Sequence, residues 1–335
     1  MHLRIGFMPD LRGASGGPAV FQRRLAAALK GWSILVTYDV TGWNVDKILL
    51  INATRHIPVL MRAKRRGTKI IQRLGLPFPS NRNLKINLPE RIYTFLGMRA
   101  IALIRRYVAD RIVYQSAFVK NCWEKEYGLI GQTDEIIYNG VDLDLFSPQG
   151  PRYESSADIR IISVEGTQVY PGKSTAFLVA KEMRDRGYDV ELLVFGKPWA
   201  DAGNRYSRYP FVRFYDTIPN EHLPPYYRGA TLYVLNDIVA GCPNSVIEAL
   251  ACGVPVVGFK PGVLEEMLTE EAGRCVALDR DVFKDPSPGN IESLTDAALA
   301  IAENNVEFRQ GARRLAEDRY GVAHMAERYR RILME

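Results

Sequence analysis

The sequence predicts an α/β protein built from two doubly wound domains with parallel sheets. Short runs rich in Val, Ile and Leu alternate with segments of helical periodicity along the chain, and buried strands that alternate with helices form parallel sheets covered on both faces. The alternation stops near Gly150 and Pro151 and then restarts. A chain of 335 residues suits two domains, since one domain typically holds roughly 100–200 residues. We therefore assign residues 1–150 and 151–335 to two Rossmann-like domains.

Six strands separated by helices are predicted in the first half. The first helix should begin at Pro18, because proline is favoured in the first turn, and Phe21, Leu25 and Leu29 would form its apolar stripe. The strands are LRIGF (3–7), SILVT (33–37), DKILLIN (46–52), TKIIQRL (68–74), RIVYQS (111–116) and EIIYNG (135–140).

The second half repeats this pattern and ends in several helices. Helices are predicted over 174–186 and 245–252, and the segment 312–333 has the spacing of an amphipathic packing helix. In open sheets of this kind the ligand lies beyond the carboxyl ends of the strands, so the deepest site should be a cleft between the two domains. The strands of this half are IRIISVEG, VELLVFG, VRFYD, TLYVLN and VPVVGF.

The composition excludes several classes of protein. With 47% hydrophobic and 24% charged residues, the chain has the balance of a globular protein. Its four cysteines are too few and too unevenly spaced for a disulfide scaffold or a zinc site, which favours a reducing compartment. The apolar start is too short for a signal peptide, and the longest nearly uncharged run, 240–259, contains two prolines and cannot form a transmembrane helix. We expect a cytoplasmic protein.

Charge is divided unequally along the chain. Residues 1–150 contain 22 basic and 11 acidic side chains, whereas residues 151–335 contain 22 and 27. Within 52–111 the basic side chains number 14 and the acidic ones 2. Such a field attracts a phosphorylated substrate or an anionic membrane surface. Nucleic acid is not an expected partner, because base-stacking aromatic patches are absent. The alternative is a solvated basic surface without a partner.

Two glycine-containing loops follow strands and open helices. Gly16 and Gly17 precede the first helix, where unpaired amides and the helix dipole favour an anion, although a tight turn without a ligand explains them equally well. The second loop, VEGTQVYPGKST, nearly spells a phosphate-binding loop. Five residues separate Gly166 from Gly172 where that motif has four, and the next strand ends without an Asp. A nucleoside-triphosphatase is therefore disfavoured, while Lys173 remains a candidate phosphate contact rather than an exposed lysine.

The segment 240–268 is the most informative. Asn244 or Ser245 should cap a short helix that contains Glu248, and a glycine turn at Gly262 should open a second helix after the strand VPVVGF. Two helix N-termini can hold an anion, and a neighbouring carboxylate suits the vicinal hydroxyls of a ribose. The alternative for Glu248 is a buried acid with a structural partner.

The stretch NSVIEALACGVPVV resembles the nucleotide-sugar signature of the retaining glycosyltransferases of family 4, which have the GT-B fold. The runs GGPAVFQRRLAAAL, IIYNGVDLDLF and PNEHLPPYYRGATLYVLN agree with this family in order and spacing. The resemblance implies a C-terminal domain that binds a nucleoside-diphosphate sugar, an N-terminal domain that binds the acceptor, and a final helix that crosses back to the N-terminal domain. It further implies hexosyl transfer, with retention, in polysaccharide biosynthesis. The basic excess over 52–111 indicates an anionic or lipid-linked saccharide as the acceptor, and Arg73 in this region is our candidate for binding it.

The resemblance also assigns roles to individual residues that match the motifs of the family. Glu248 matches the second Glu of the family's Glu-x7-Glu motif, which contacts the donor ribose, but Ala240 stands where the first Glu would fall. Thr167 replaces the phosphate-binding Arg, and Lys173 resembles the accompanying Lys. We take Lys173 and Glu248 as catalytic candidates. The resemblance and the loops together assign donor binding to Gly16, Gly17, Gly166, Thr167, Lys173, Gly241, Asn244, Ser245, Glu248, Gly262 and Glu265.

Neither a cofactor nor a metal ion is expected. Asp142 and Asp144 resemble a metal-binding DxD motif, but they lie in the linker NGVDLDLF and should form a turn. Protein cations and helix N-termini would then stabilise the leaving diphosphate. Because Ala240 and Thr167 depart from the family pattern, a non-catalytic sugar-nucleotide-binding protein is the main alternative, and a nucleoside-triphosphatase is a weaker one.

Overall fold

The computed structural model of the chain describes residues 3–14, 16–41, 45–54, 56–77, 88–164, 175–196, 209–237, 239–260, 262–278 and 289–335. Its contacts divide the chain into two compact units. Unit 1 comprises Met1–Gly140 and Val322–Glu335, and unit 2 comprises Val141–Gly321.

Strands and helices alternate through the described residues. The strands are β1 (Arg4–Met8), β2 (Leu35–Thr37), β3 (Lys47–Ile51), β4 (Lys69–Leu74), β5 (Arg111–Tyr114), β6 (Thr133–Ile136), β7 (Ile159–Val164), β8 (Val190–Phe195), β9 (Val212–Tyr215), β10 (Leu232–Val234), β11 (Val256–Lys260) and β12 (Gly273–Ala277). The α-helices are α1 (Gly17–Gly31), α2 (Ile57–Arg65), α3 (Leu88–Leu103), α4 (Ala117–Tyr127), α5 (Thr175–Asp185), α6 (Pro224–Gly229), α7 (Asn244–Ala251), α8 (Val263–Met267), α9 (Ile291–Glu303), α10 (Asn305–Arg319) and α11 (Val322–Met334). A π-helix (Ile104–Val108) continues α3, and a 3-10 helix covers Asn220–His222.

Unit 1 is built around a parallel sheet, sheet 1, with the described strand order β2-β1-β3-β4-β5-β6. On one face, Phe21 of α1 and Tyr329 of α11 pack in the same buried cluster as Ile5 and Leu49 of the sheet. The Phe21 and Tyr329 rings lie 5.3 Å apart between centroids. On the other face, α2 and the π-helix share a second cluster with β3 and β4. The C-terminal helix is therefore part of the core of unit 1.

Unit 2 contains sheet 2, again parallel, with the described order β12-β11-β10-β7-β8-β9. The two sheets confirm the predicted α/β class. Strand β12 was not expected, since only helices were predicted after VPVVGF. It pairs with β11 through Gly273 and Val256, and a Cβ on Gly273 would lie 2.1 Å from the Val256 oxygen. Because Arg274, Cys275 and Val276 are only half-buried on this edge strand, its hydrophobic pattern is weak.

The chain passes from unit 1 to unit 2 at 140/141, whereas the sequence predicted the division at 150/151. Residues 145–151 lie in unit 2 because the buried Arg228 guanidinium donates to the carbonyl oxygens of Leu145 (3.1 Å), Ser147 (2.7 Å) and Pro151 (3.3 Å). Strand β6, at Thr133–Ile136, begins and ends earlier than the strand predicted at 135–140.

The predicted single helix over 312–333 is wrong, because the chain breaks at Tyr320 and Gly321 between α10 and α11. The Tyr320 carbonyl oxygen accepts from the Val141 amide (2.8 Å), and its hydroxyl donates to the Met267 carbonyl oxygen (2.7 Å). These bonds hold residue 320 in unit 2, and α11 begins two residues later. None of the described helices is both long enough and apolar enough to cross a membrane.

Candidate functional site

Most candidate residues of unit 2 follow the carboxyl ends of β10 and β11, which are neighbours in sheet 2. The chain leaves β10 at Val234 and enters α7 at Asn244, and it leaves β11 at Lys260 and enters α8 at Val263. Parallel strands direct their carboxyl ends to one edge of a sheet, where ligands of doubly wound domains bind. We call this region the carboxyl edge of sheet 2.

Asn236, two residues after the end of β10, bonds to two further elements at this edge. Its amide nitrogen donates to the Ser163 hydroxyl in β7 (2.8 Å), and its oxygen accepts from the Ala176 backbone N–H in the first turn of α5 (2.8 Å). Ser163 in turn donates to the Val234 carbonyl oxygen (3.0 Å). The start of α5 is thereby held against the ends of β7 and β10. The sequence prediction missed Asn236, although a polar residue directly after the buried run TLYVL was its signal.

Helix α7 begins at Asn244, but neither Asn244 nor Ser245 caps it as predicted. Pro243 occupies the cap position, and no side-chain cap hydrogen bond is present there. The Ser245 hydroxyl instead accepts from the Tyr233 hydroxyl of β10 (2.9 Å), which attaches the first turn of α7 to the sheet. Burial raises the pKa of Tyr233, so its phenol stays protonated and remains a donor.

Glu248 lies in α7 with only 2% of its surface exposed. Its Oε1 accepts from the Asn220 amide nitrogen in the 3-10 helix (3.0 Å). A buried carboxylate needs such donors, and its two oxygens together can accept several hydrogen bonds. Asn220 was also missed by the sequence prediction, since nothing in its local pattern relates it to a helix that begins 24 residues later.

The remaining described candidates of unit 2 differ in exposure. Gly262 is buried at the start of α8 with extended backbone (φ 169°), and Gly241 is half-buried in the loop before α7. Glu265 is exposed, and its carboxylate lies 3.8 Å from the Lys260 ammonium. Three further donor candidates, Gly166, Thr167 and Lys173, lie outside the described residues.

The glycine loop of unit 1 follows β1. Gly16 has φ 94° and ψ 176°, a conformation essentially restricted to glycine, and Gly17 is the first residue of α1. Gln22 of α1 reaches back over this loop: its nitrogen donates to the Pro9 carbonyl oxygen and its oxygen accepts from the Leu11 amide, both at 2.8 Å. The loop is thus tied to α1 by a side chain that the sequence prediction did not single out.

Arg73, the acceptor candidate, is 1% exposed near the end of β4. Its Nη2 donates to Asn139 Oδ1 (2.6 Å), and its guanidinium carbon lies 3.7 Å from the centroid of the Phe21 ring. The Gln115 amide, oriented so that its oxygen faces donors, accepts from Arg73 Nη1 (3.1 Å) and from the Gly75 amide (3.2 Å). The contacts observed for Arg73 are therefore with groups of unit 1 itself.

The basic region 52–111 is not a uniform surface. Arg105 is buried, donating to the Tyr114 hydroxyl (2.8 Å) and to the Gly128 carbonyl oxygen (3.0 Å). Lys64 is paired with Asp110 (3.3 Å), and Arg111 with Glu335. The described basic side chains that remain exposed are Arg62, Arg65, Arg66, Lys69, Arg99 and Arg106.

The Asp142-Leu-Asp144 sequence forms a turn, as predicted. Asp142 Oδ1 accepts from the backbone amides of Asp144 (3.0 Å) and Leu145 (3.1 Å). Among the described residues, no group of three or more His, Cys, Asp or Glu side chains is arranged to hold a metal ion.

Comparison with known proteins gives related glycosyltransferases. Residues 172–304, less than half of the chain, match the family described as Glycosyl transferases group 1. An uncharacterized glycosyltransferase of Haemophilus influenzae is 24% identical over 268 residues, covering 76% of this chain and 70% of that protein. An MMP alpha-(1->4)-mannosyltransferase of Mycolicibacterium hassiacum is 21% identical over 276 residues, covering 77% of this chain and 63% of that protein.

Solved structures resemble the whole chain. Sucrose-phosphate synthase from Thermosynechococcus elongatus has a TM-score of 0.75 at 14% identity and covers 100% of this chain and 98% of its own. HepE of Anabaena in complex with UDP-glucose has a TM-score of 0.73 at 15% identity, covering 99% of this chain and 100% of its own. These structures confirm the GT-B fold, and the family match and the relatives support glycosyltransferase function.

Proposed function

We propose that this protein transfers a hexose from a nucleoside-diphosphate sugar to an anionic or lipid-linked saccharide, with retention at the anomeric carbon, as a family 4 glycosyltransferase of polysaccharide biosynthesis. The donor would occupy the carboxyl edge of sheet 2, and unit 1 would bind the acceptor. The observation that carries the proposal is the buried Glu248 carboxylate in α7, a helix whose first turn is attached to β10 through Tyr233 and Ser245.

The chemistry of Glu248 supports the binding of a ribose. Asn220 donates to Oε1, and a carboxylate has several acceptor positions on its two oxygens, which suits the vicinal hydroxyls of a ribose. Hydrogen bonds to a charged acceptor contribute about 1.5–3 kcal/mol each. The GT-B structure of HepE, whose fold this chain shares, was solved with UDP-glucose, which makes a uridine diphosphate sugar the first donor to test.

Leaving-group stabilisation is the main task of such a site, and we assign it to the protein rather than to a metal ion. Lys173, the α7 N-terminus and the amides at Gly16 and Gly17 are the groups that would oppose the charge developing on the diphosphate. We expect no cofactor beyond the donor substrate.

The acceptor assignment rests on charge. The exposed cations of α2 and the segment that follows it suit a phosphorylated, lipid-linked saccharide presented at a membrane surface. We therefore propose a cytoplasmic protein that associates reversibly with the membrane face.

The first experiment measures UDP-glucose binding by calorimetry for wild type, Glu248→Gln and Glu271→Gln. The amide oxygen introduced by Glu248→Gln can still accept from Asn220, so the fold should be kept, while donor affinity should fall about tenfold or more. Glu271 is exposed, and its substitution is the matched control. An unchanged Kd in a correctly folded Glu248→Gln protein would contradict the ribose assignment.

A second experiment addresses the diphosphate. Donor binding and turnover should persist in excess chelator, and Lys173→Ala should weaken UDP binding about tenfold while leaving uridine binding nearly unchanged. Strict dependence on magnesium or manganese would contradict the metal-independent mechanism and favour the nucleoside-triphosphatase alternative.

One observation favours a second candidate function. Ala240, which stands where the family's first motif Glu would fall, is buried with 5% exposure and offers no polar group to a sugar. The protein would then bind a sugar nucleotide without transferring the sugar. Tight UDP-glucose binding with no release of UDP across a broad acceptor set would support this candidate over the enzyme.

A further inference from the structure

Helix α3 and the π-helix that continues it expose an unusually large group of hydrophobic side chains. Six of the thirteen large hydrophobic side chains exposed among the described residues lie between Ile92 and Tyr107. The other seven are scattered over the rest of the described chain. Exposed apolar side chains that occur singly need no explanation, but a contiguous group marks an interaction surface.

The spacing places these side chains along one side of the helix. Ile92, Leu96, Leu103 and Tyr107 follow each other at intervals of four, seven and four residues, and each is 52% to 67% exposed. Residues three, four and seven apart lie on the same helical face. Tyr93 and Phe95 flank this row. We refer to these six side chains as the α3 stripe.

The opposite side of the same helices is packed in the core of unit 1. Met98 is buried against β4 and β5, and Ile104 and Val108 belong to the cluster shared with α2. Arg105 also points inward, bonded to Tyr114 and Gly128. The segment is therefore firmly attached to unit 1, and the stripe is its outward face.

The charges beside the stripe are all positive. From Ile92 to Val108 the sequence contains three arginines and no acidic residue. Arg99 lies three residues after Leu96 and Arg106 three after Leu103, and both are exposed. Their guanidinium carbons lie 5.1 Å from the Phe95 ring and 5.8 Å from the Tyr107 ring, so each cation is held beside an exposed aromatic side chain.

A second group of cations lies next to the end of the stripe. Lys64, in the last turn of α2, donates to the Val108 carbonyl oxygen at the end of the π-helix. Arg65 and Arg66 follow it directly and are exposed. Lys64 is also paired with Asp110, so the end of α2 contacts the end of the α3 segment and places these two exposed arginines close to it.

We infer that the α3 stripe lies in the interfacial region of an anionic lipid bilayer, with Arg99 and Arg106 among the headgroups. This inference deepens the proposed function and rests on it for the lipid-linked acceptor that would bring the protein to the membrane. A helix with apolar and aromatic side chains on one face and arginines beside them binds at the boundary between headgroups and acyl chains without crossing the bilayer. Charge disfavours a second copy as the occupant, because a symmetric contact through this face would bring two sets of arginines together.

The test uses the full-length protein and vesicles of phosphatidylcholine with phosphatidylglycerol, compared with phosphatidylcholine alone. Wild type should float with the anionic vesicles at low salt and be released at high salt. The triple variant Ile92→Ser, Leu96→Ser, Leu103→Ser should partition at least tenfold less, and Arg99→Gln with Arg106→Gln should also weaken partitioning. The control, Leu129→Ser with Val306→Ser, removes two comparably exposed side chains elsewhere and should bind as wild type does.

Tryptophan fluorescence measures how deeply the α3 stripe lies in the bilayer. In Leu96→Trp the emission of the introduced indole, taken as the difference from wild type, should shift to the blue on adding anionic vesicles, and brominated acyl chains should quench it. A vesicle-bound Leu96→Trp protein whose introduced indole keeps a solvated emission would overturn the inference, as would equal flotation of the triple variant and wild type. Vesicle-independent dimers that the triple variant abolishes, in a protein that does not float, would also overturn it and identify a self-association surface.

Calorimetry with UDP-glucose separates this inference from the proposed function. The triple variant should bind the donor as wild type does, because the stripe lies in unit 1 and the donor candidates with described side chains lie in unit 2. Flotation without donor binding would leave the membrane inference standing and contradict the proposed function. Donor binding without flotation would contradict the membrane inference and leave the proposed donor site standing.

Discussion

Each unit contains a parallel sheet with six described strands, but the carboxyl edges of the two sheets bury charges of opposite sign. In unit 1 the buried group is the Arg73 cation, which donates to Asn139 and faces the Phe21 ring. In unit 2 it is the Glu248 anion, which accepts from Asn220. In both places the neighbouring partner is a neutral amide from another element of the same unit.

The two buried charges differ in their surroundings, which indicates a structural role for one and a binding role for the other. Arg73 contacts Phe21 of α1, Gln115 directly after β5 and Asn139 in the segment after β6, so its guanidinium joins separate parts of unit 1. Glu248 accepts from Asn220 and lies in a helix that begins at the carboxyl edge, where ligands of doubly wound domains bind. The cation should therefore matter first for stability, and the anion first for binding.

The largest effect is expected for Arg73→Met. Loss of the charged hydrogen bonds should lower the free energy of unfolding by about 3 kcal/mol, since each such bond contributes about 1.5–3 kcal/mol and Asn139 and Gln115 lose a donor. Urea denaturation measures this change, with the exposed Arg62→Met as the control. If Arg73→Met is as stable as wild type but loses acceptor binding, Arg73 is a ligand contact and the comparison fails.

A smaller effect is expected for Asn236→Ala in unit 2. The substitution leaves the Ala176 amide without its observed acceptor and removes the donor to Ser163. A buried unsatisfied donor lowers stability by about 1–3 kcal/mol, so we expect a loss of about 2 kcal/mol. Because Asn236 positions the start of α5, UDP affinity should fall together with stability. Unchanged UDP affinity in the destabilised variant would confine Asn236 to a structural role.

The glycine loop of unit 1 gives a matched pair of substitutions. A Cβ at either Gly13 or Gly16 meets nothing within 4 Å, but only Gly16 has a positive φ, of 94°. Gly16→Ala should therefore lower stability by about 1 kcal/mol through backbone strain alone, whereas Gly13→Ala should be neutral. Thermal unfolding of both variants measures the difference. Equal melting temperatures would show that the loop adopts another conformation without loss.

The sequence predicted the sheets better than it predicted the polar contacts. Runs such as KILLI and VELLVF are buried on both faces, so their composition alone indicates central strands. The edge strand GRCVA has no such run and was missed. Arg73 was predicted to bind the acceptor, because a charge count does not show that its position in β4 is buried. Asn220 was missed because its partner, Glu248, lies 28 residues away and only the folded chain brings them together.

The smallest effect concerns alkaline pH and again distinguishes the two units. Burial, together with the neighbouring Tyr153, raises the pKa of Tyr215 at the carboxyl end of β9 to about 12, from an ordinary value of 10.0. The unfolded chain releases this proton near the ordinary value, so the contribution of Tyr215 to stability is complete below pH 10 and is lost as the pH rises toward 12. Tyr215→Phe should reduce the alkaline loss of stability, which urea midpoints measured below pH 10 and near pH 12 would show.

The matched substitution in unit 1 is Tyr38→Phe. Burial also raises the pKa of Tyr38, but the nearby Arg12 cation lowers it and so offsets part of this effect. Its alkaline midpoint should change less than that of Tyr215→Phe, and an equal or larger change would mean that the two units respond to alkali in the same way.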